Sequence, residues 1–559
     1  MTADRAASTL DRASTKAPSH LAPNQAPLLP EHDAWEQDAS LRYWVERHAA
    51  PSAELDRRLH EVGRQVGGHD LQHAADRSNV VTPQLRTHDR SGNRIDDVEF
   101  DASWHRVLGA MLDSGVTGMP WSIERGGYLV RAAALEQWGR LDIGAMCPVS
   151  MTTAAVPVLQ AHGGPTARWV PGLTGASGAR QLTAGMAMTE PQGGSDLASA
   201  STLAIEQGDG SMRVSGHKWF VSHPVADVLL VLAREPGLAD GSRGLSCVAV
   251  PGWGEGGGRN RIELQQLKEK LGTRSLASAE VMFRDAEGER VGAPGDGVRT
   301  IIDMVAHTRM DCALGSTGIM SRAVLEAVNH ARGRAAFGRP LVDQPLMRTV
   351  LADLALEREA ALALSLEVAR TFDSGEPLRR LVTAIAKYWV TRRAVAVAVE
   401  ACEALGGNGY TEQFVLARLY RDAQVNSTWE GSGNVIVLDV FRALARDTGL
   451  ATAFEQRVRE LVAHGDGELA MRVTAALPSG PGGEQDGRRY VGALAMVLQA
   501  ALLVDRAADT GDEADLVVAR AFVATRLDGA STAGRVFGDG GDDLAPAAEV
   551  LLQRAFVED

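Results

Sequence analysis

The feature that most constrains the fold is a stretch of β-type sequence enclosed between two longer helical stretches. Four short β-type runs, at 212–215, 228–233, 246–250 and 279–283, lie within residues 181–292 and are separated by turn signals such as Asp209-Gly210 and Pro251-Gly252. On either side the pattern is helical, and from Val382 through Ile385 and Val390 to Val397 residues recur at spacings of three and four, as one face of a long helix requires. The pattern predicts an α+β protein in which a middle β-domain of sheet or barrel type separates two helical domains.

The boundaries of the predicted domains follow these changes in periodicity. The chain has 559 residues, enough for several domains at about 150 residues each. We predict a disordered N-terminal arm over 1–34, an N-terminal helical domain over 35–180, the middle β-domain over 181–292, and a C-terminal helical bundle over 293–449. Residues 450–559 form an additional helical region, with helices expected near 454–475, 489–508 and 514–527 around a flexible Gly- and Pro-rich break.

Composition excludes several classes of partner. The net charge of -14 opposes non-specific attraction to nucleic acid or anionic membranes. The four cysteines lie far apart without a CxxC pair, which favours reduced thiols over a disulfide framework or a zinc site. No apolar stretch approaches the roughly 18 residues of a spanning helix, and the N-terminus lacks the apolar core of a secretion signal. We therefore expect a cytoplasmic protein with no membrane partner.

A loop at Met188-Thr-Glu-Pro-Gln-Gly-Gly-Ser-Asp-Leu197 is the first candidate for chemistry. Its glycine pair allows the backbone to approach a ligand closely, and the hydroxyls of Thr189 and Ser195 are hydrogen-bond donors. Such a loop suits a flavin and its phosphates. The alternative is a polar turn that enters a sheet.

Two further strings allow a structural or a functional interpretation. Taken alone, Glu430 in Trp429-Glu-Gly-Ser-Gly-Asn434 is typical of a solvated carboxylate before a helix, with Asn434 as the helix cap. Gly406-Gly407-Asn-Gly, in turn, is typical of a helix C-cap, because glycine and asparagine tolerate a left-handed backbone.

Taken together, the motifs resemble those of the acyl-CoA dehydrogenase family over roughly residues 40–445. The matching strings, in order, are TEPQGGSD at 189–196, GHKWFVS at 216–222, HTR at 307–309, RAAFGRPL at 334–341, EALGGNGY at 403–410 and WEGSGN at 429–434. The wording of the first and last strings, with the helical extension, resembles the AidB-like branch of adaptive-response proteins. The resemblance implies the acyl-CoA dehydrogenase fold and FAD as cofactor.

The resemblance also implies roles for individual residues. Glu430 would be the catalytic base that removes the α-proton of an acyl-CoA thioester, while the flavin accepts the β-hydride. Arg309 would lie near the substrate, although an arginine there equally suits a structural ion pair. Phe220 keeps the aromatic ring of the family motif but lacks an indole donor. The residues implied to contact FAD are Met188, Thr189, Gly194, Ser195, Phe220, Ser222, Arg334, Phe337, Gly406, Gly407, Trp429, Ser432 and Asn434.

Partners follow from the same resemblance. Arg334, Phe337, Gly406 and Gly407 are implied to reach the FAD of a neighbouring subunit, which predicts a homotetramer. An electron-transfer flavoprotein is the expected acceptor of the electrons.

A DNA-associated flavoprotein of the alkylation response is the alternative function, because AidB-like proteins carry DNA contacts in the C-terminal region. Residues 451–559, however, contain ten Arg and no Lys against eighteen Asp and Glu, which is the wrong charge for phosphate binding. A third interpretation, a flavin-binding scaffold without efficient catalysis, is disfavoured by the presence of Glu430. The sequence therefore favours the dehydrogenase.

Overall fold

The computed structural model describes residues 24–49, 52–254, 257–528 and 536–557. The predicted α+β architecture is confirmed: a helical domain, a β-domain and a helical bundle follow one another along the chain. Residues 1–23 of the predicted arm lie outside the described residues.

The prediction of a disordered arm is wrong for residues 24–34, which pack against the bundle. Leu29 and Ala34 are 5% and 1% exposed. The Asn24 side-chain amide donates to the Ala335 carbonyl oxygen over 2.8 Å, and the Asn329 amide donates to the Pro27 carbonyl oxygen over 3.0 Å. Composition could not reveal these partners, because they come from residues more than 300 positions away.

The first domain is mainly helical. Its helices are α1 (Ala39–His48), α2 (Ala53–Gly67), α3 (His69–Val80), α4 (Ala102–Asp113), α5 (Met119–Ser122), α6 (Gly127–Leu141), α7 (Ile143–His162) and α8 (Val170–Leu173). Helix α2 shows why such segments fold: Ser52 caps its N-terminus by accepting from the Leu55 amide. The apolar face of α2 buries Leu55, Leu59 and Val62 at helical spacing.

An antiparallel hairpin interrupts the domain that the sequence predicts to be all helical. Strands β1 (Gln84–His88) and β2 (Arg94–Glu99) pair with each other, and Asp89 closes the turn by accepting from the Ser91 and Asn93 amides. The strands carry few apolar residues, so hydrophobic periodicity could not identify them. Asp96 connects the hairpin to the β-domain by accepting from the Leu264 amide over 2.8 Å.

The β-domain is a seven-stranded sheet with the order β3-β6-β4-β5-β9-β7, in which β8 pairs with β9. An additional pairing of β6 with β7 closes the sheet in the manner of a barrel. The strands are β3 (Ala184–Ala187), β4 (Leu203–Glu206), β5 (Met212–Ser222), β6 (Val228–Arg234), β7 (Leu245–Pro251), β8 (Ile262–Leu267) and β9 (Ser278–Val291). The four β-type runs recognised in the sequence correspond to β5, β6, β7 and β9.

Three long helices form the centre of the C-terminal bundle. They are α9 (Gly297–Gly333), α10 (Pro345–Ser374) and α11 (Arg379–Ala404), with a short hairpin of β10 (Ala335–Ala336) and β11 (Arg339–Pro340) between the first two. The apolar face predicted for α11 is buried, with Ile385, Val390 and Val397 each 0% exposed. Helices α12 (Val415–Asn426) and α13 (Gly433–Arg446) complete the bundle.

The additional region continues the bundle and does not form a separate unit. Its helices are α14 (Gly449–Val462), α15 (Gly467–Ala475), α16 (Gly487–Thr510), α17 (Glu513–Arg526) and α18 (Ala548–Arg554). The single helix expected near 454–475 is therefore two helices. Helix α16 packs against α10, α11 and α13, and Arg526 of α17 forms buried ion pairs with Asp353 and Glu357 of α10.

Within the part of the chain that the structure describes, two segments are long and apolar enough to cross a membrane, Ile143–His162 and Glu484–Thr510. Of the most apolar window in each, 89% and 78% is buried inside the protein. This burial is typical of core helices.

Candidate active site

The loop that carries Glu430 connects α12 to α13 and has an unusual backbone. Glu430 has a φ of 57° and Gly431 a φ of 103°. A positive φ is uncommon for a residue other than glycine, so surrounding contacts must hold the loop in place. Arg309 Nε of α9 donates to the Glu430 carbonyl oxygen over 3.0 Å, and Lys387 Nζ of α11 donates to the Gly431 carbonyl oxygen.

Arg309 is itself fixed by an ion pair. Its Nη1 lies 2.7 Å from Asp439 Oδ2, and Arg380 pairs with the other carboxylate oxygen of Asp439 at 2.8 Å. The structural role that the sequence left open for Arg309 is therefore present. A contact between Arg309 and substrate stays a prediction, although the residue does lie beside Glu430.

The carboxylate of Glu430 is poorly solvated. Its Oε2 is buried and has no hydrogen-bond partner among the described residues. Burial raises the pKa of Glu430, while the Thr308 side chain and the charges of Arg309 and Lys387 act in the opposite direction. A carboxylate with a raised pKa and a free oxygen is suited to accept a proton.

The indole of Trp429 is oriented by a short hydrogen-bonded chain. Its Nε1 donates to Asn426 Oδ1 over 3.0 Å, and the Asn426 amide donates to Ser316 Oγ over 2.9 Å. Trp429 is half-buried against the core. The ring beside Glu430 is thus fixed by residues of α12 and α9.

Asn434 does not cap the helix that follows Glu430, so that interpretation is wrong. Helix α13 begins at Gly433 with Ser432 in the N-cap position, and the Ser432 side chain makes no capping hydrogen bond. Asn434 lies in the first turn, where its Oδ1 accepts from Arg488 Nε over 2.8 Å. The extension helix α16, which carries Arg488, therefore contacts the end of the Glu430 loop.

The loop Met188–Leu197 follows β3 and is held by a buried ion pair between Glu190 of the loop and Lys218 of β5. Lys218 Nζ lies 2.7 Å from Glu190 Oε1 and also donates to the carbonyl oxygens of Met188 and Leu232. Burial alone would raise the pKa of Glu190, but Lys218 and the surrounding donors hold it at about 2. The Glu190 carboxylate also accepts from the Ser201 amide over 2.7 Å. Glu190 is thus a structural anchor.

The outer side of this loop presents free donors. Within the described residues, the hydroxyls of Thr189 and Ser195 have no hydrogen-bond partner, and Ser195 is exposed. A Cβ at Gly194 would come within 2.9 Å of Thr189 Oγ1, so glycine is required for this close packing. The Trp219 amide donates to the Thr189 carbonyl oxygen over 2.9 Å, which brings the loop beside β5.

Strand β5 runs beside the loop Met188–Leu197 and ends at Ser222. Phe220 is 53% exposed, and Ser222 Oγ lies 3.4 Å from Ser278 Oγ of β9. Burial and the charge of Glu430 raise the pKa of the Cys147 thiol of α7 to about 12, while Ser222 acts on that pKa in the opposite direction. Cys147 therefore lies between the end of β5 and the catalytic candidate.

The four residues implied to reach a neighbouring subunit lie on other elements, at the β10–β11 hairpin and at the end of α11. Phe337 stands at the tip of the β10–β11 hairpin with a φ of 52° and is 99% exposed. Arg334 Nη1 donates to the Asn24 carbonyl oxygen over 2.9 Å. Gly406 has a φ of 61° directly after α11, which confirms the helix C-cap interpretation, and Gly407 is exposed beside it.

Sequence reasoning missed several residues of the site. Lys387 and Cys147 have no family string around them, whereas Thr308 lies in the string His307-Thr-Arg309 but was given no role. Lys387 did carry a signal, because its position in α11 adjoins the apolar face at Ala386 and Val390, where a charge is costly without a partner. Cys147 is brought to the site by tertiary packing alone.

Three protein-family models match most of the chain between residues 24 and 445. Residues 24–177 match the adaptive response protein AidB N-terminal domain. Residues 185–286 match the acyl-CoA dehydrogenase middle domain, and residues 295–445 match the acyl-CoA dehydrogenase C-terminal domain. The chain is 42% identical to the putative acyl-CoA dehydrogenase AidB of Escherichia coli over 409 residues, which cover 70% of this chain and 74% of that protein.

More distant relatives are also acyl-CoA dehydrogenase family proteins. Acyl-CoA dehydrogenase family member 11 of Caenorhabditis elegans is 32% identical over 416 residues, covering 70% of this chain and 67% of that protein. The crystal structure of Caenorhabditis elegans ACDH-11 in complex with C11-CoA superposes with a TM-score of 0.85 at 27% identity, covering 92% of this chain and 95% of that chain.

Proposed function

The chain belongs to the acyl-CoA dehydrogenase family, in its AidB-like branch, and is an acyl-CoA dehydrogenase-type oxidoreductase; from this premise we propose that it binds FAD and uses Glu430 as the base in α,β-dehydrogenation of an acyl-CoA. The observation that carries the proposal is the buried, unpartnered Oε2 of Glu430 on a loop fixed by Arg309 and Lys387. The raised pKa of this carboxylate makes it a stronger base than an exposed glutamate.

The residues of the loop Met188–Leu197, of strand β5 and of the Glu430 loop fit FAD. Thr189 and Ser195 offer free hydroxyls, Gly194 permits close approach, and Ser222 supplies a further hydroxyl at the end of β5. Trp429 and Phe220 provide aromatic surfaces against which a flavin ring can pack. Bound FAD supplies the acceptor for the hydride that leaves the β-carbon.

The chain's own contribution is proton transfer, orientation and exclusion of water. Glu430 takes the α-proton on its free Oε2, and burial keeps the carboxylate poorly hydrated so that the proton transfer is favourable. Negative charge then develops on the thioester oxygen, where the backbone amide of Glu430 is the donor that the family resemblance implies. The left-handed backbone at Glu430 fixes the direction of that amide.

The substrate proposed is an acyl-CoA thioester. The Caenorhabditis elegans relative has been crystallised with C11-CoA, and its likeness over 92% of this chain supports an acyl-CoA of comparable class. The two electrons removed in each turnover must leave the protein, and an electron-transfer flavoprotein is the proposed acceptor.

A homotetramer is the proposed assembly. The fully exposed phenyl ring of Phe337 and the bare turn at Gly406 and Gly407 have no covering group among the described residues of one protomer. A neighbouring subunit and its FAD would cover all three. Light scattering of the FAD-loaded protein, before and after the substitution F337S, tests this assembly.

DNA association is the second candidate, and it is favoured by the match to the AidB N-terminal domain. The charge of the extension speaks against it. Of its nine arginines in the described residues, eight form ion pairs with carboxylates, and Arg488 donates instead to Asn434. Paired arginines have little charge left for phosphates. A DNA mobility shift that persists at about 0.15 M ionic strength would favour this candidate.

The test of the proposed function is an anaerobic titration of the purified protein with straight, branched and aromatic acyl-CoAs, followed in the oxidised flavin band. Bleaching by one class of thioester supports the dehydrogenase and identifies its substrate class. A yellow protein that no thioester bleaches contradicts the proposed reaction, and a folded protein that takes up no FAD contradicts the cofactor.

A further inference from the structure

A partly buried lysine that the proposed reaction does not use is linked to Ser222 through Ser278. Lys270 follows β8, and its Nζ donates to the Leu276 carbonyl oxygen over 2.5 Å and to Ser278 Oγ over 3.1 Å. Ser278 Oγ lies 3.4 Å from Ser222 Oγ. The ammonium is therefore two hydrogen bonds away from the Ser222 hydroxyl at the end of β5, where the proposed function places the flavin.

Lys270 differs from the other lysines of the β-domain in having no ion-pair partner. Lys218 and Lys268 lie 2.7 Å and 2.5 Å from the carboxylates of Glu190 and Glu280. No described carboxylate forms an ion pair with Lys270; Asp142 and Asp422 act on it only over longer distances. Burial lowers the pKa of Lys270 to about 8, so the ammonium is still mainly protonated at neutral pH. A partly buried ammonium that has hydrogen bonds but no carboxylate partner keeps its positive charge uncompensated, and that charge can act on a neighbouring group.

The directions of the hydrogen bonds suggest that role. An ammonium can only donate, so Ser278 Oγ must accept from Lys270. The Ser278 proton is then free to be donated to Ser222 Oγ, which leaves the Ser222 proton to point away from Ser278. Among the described residues the other neighbour of that proton is the Cys147 sulfur, a weak acceptor. A flavin nitrogen or oxygen would be a stronger one.

We propose that Lys270 is a positioning residue of the flavin site, which orients Ser222 through Ser278 and places a positive charge behind the flavin so that the reduced state is stabilised. The inference rests on the proposed function. A flavin held by these residues would gain one unit of negative charge on accepting a hydride from the substrate. A nearby cation in a poorly solvated site favours that gain.

The experiment is a measurement of the midpoint potential of the bound FAD in wild type, K270M and K270R. We expect K270M to disfavour reduction by about tenfold, a shift of about 30 mV for a two-electron couple, and K270R to restore most of it. R284M is the matched control, because it removes the same charge from the exposed part of β9, where Arg284 pairs with Glu263 at the surface. Its potential should equal that of wild type.

A second variant keeps the test independent of how well K270M folds. S278A retains the lysine but breaks the hydrogen-bonded path, and it should shift the potential in the same direction by a smaller factor. Wild-type potentials in both FAD-loaded K270M and S278A would overturn the inference, as would an equal shift in R284M. Failure of the proposed function gives a different result, since wild type itself would then take up no FAD or remain unbleached by every acyl-CoA.

Discussion

Arg309 Nε donates to the backbone carbonyl oxygen of Glu430 over 3.0 Å and leaves the Glu430 carboxylate free. The cation thus holds the main chain of the proposed catalytic base, while its own charge is balanced by Asp439 at 2.7 Å. This arrangement positions the Glu430 carboxylate without neutralising it by a direct ion pair.

The substitution R309M is therefore expected to reduce turnover by about 100-fold, because a displacement of about 1 Å at a catalytic group has that effect. FAD content should be unchanged. Stopped-flow reduction of the flavin by an acyl-CoA measures the change. R392M, which removes a nearby exposed arginine from α11, is the control. Equal rates for wild type and R309M would show that the loop does not depend on Arg309.

The raised pKa of Glu430 also predicts a pH-dependent effect on stability. An acid whose pKa is raised in the folded state contributes stability at low pH, and this contribution is lost as the pH rises through the raised pKa. E430Q should therefore raise the melting temperature relative to wild type at pH 8 and have a smaller effect at pH 4. Differential scanning calorimetry of the FAD-free proteins checks this, and a larger gain at pH 4 than at pH 8 would reverse the assigned direction of the pKa shift.

The Lys218–Glu190 ion pair, which holds the loop Met188–Leu197, is expected to be essential for the stability of the β-domain. Lys218 and Glu190 are 0% and 2% exposed, and removal of one partner leaves an unpaired buried charge. K218M should lower the free energy of unfolding by about 3–5 kcal/mol and weaken FAD retention. Urea unfolding measures the first effect and flavin release the second. The double variant K218M/E190L should recover part of the loss, and a double variant as unstable as K218M would contradict this account.

The extension is expected to unfold together with the bundle. Arg526 is 6% exposed and pairs with Asp353 and Glu357 of α10, so R526M should cost about 3–5 kcal/mol. R489M, at an exposed pair with Asp486, should change stability by less than about 1 kcal/mol. Denaturation followed by tryptophan fluorescence distinguishes the two. A small effect of R526M would indicate that the extension is an independent unit.

The order of the domains could be predicted from the sequence because long apolar periodicities survive without knowledge of tertiary contacts. The buried face of α11 and strands β5, β6, β7 and β9 were identified in this way. The β1–β2 hairpin was missed because its residues are mostly polar, and it is held by Asp96 bonding to the Leu264 amide far along the chain.

Residues of the candidate site likewise fall into two groups, those that lie in sequence motifs and those that tertiary packing brings to the site. Glu430, Thr189 and Ser222 lie in contiguous strings whose residue types are specific, so the sequence could propose them as candidates. Lys387 and Lys270 act through hydrogen bonds to partners on other elements. Such partners are determined by packing, and a single sequence carries no record of which elements meet.

The central claim is that Glu430 removes the proton that begins the reaction. The most direct measurement is anaerobic mixing of FAD-loaded wild type and E430Q with an acyl-CoA that bleaches wild type, with E455Q as a control at an exposed carboxylate of α14. We expect E430Q to bind FAD and remain oxidised, because the amide cannot accept the α-proton, while E455Q is reduced at the wild-type rate. Reduction of E430Q at the wild-type rate would contradict the account.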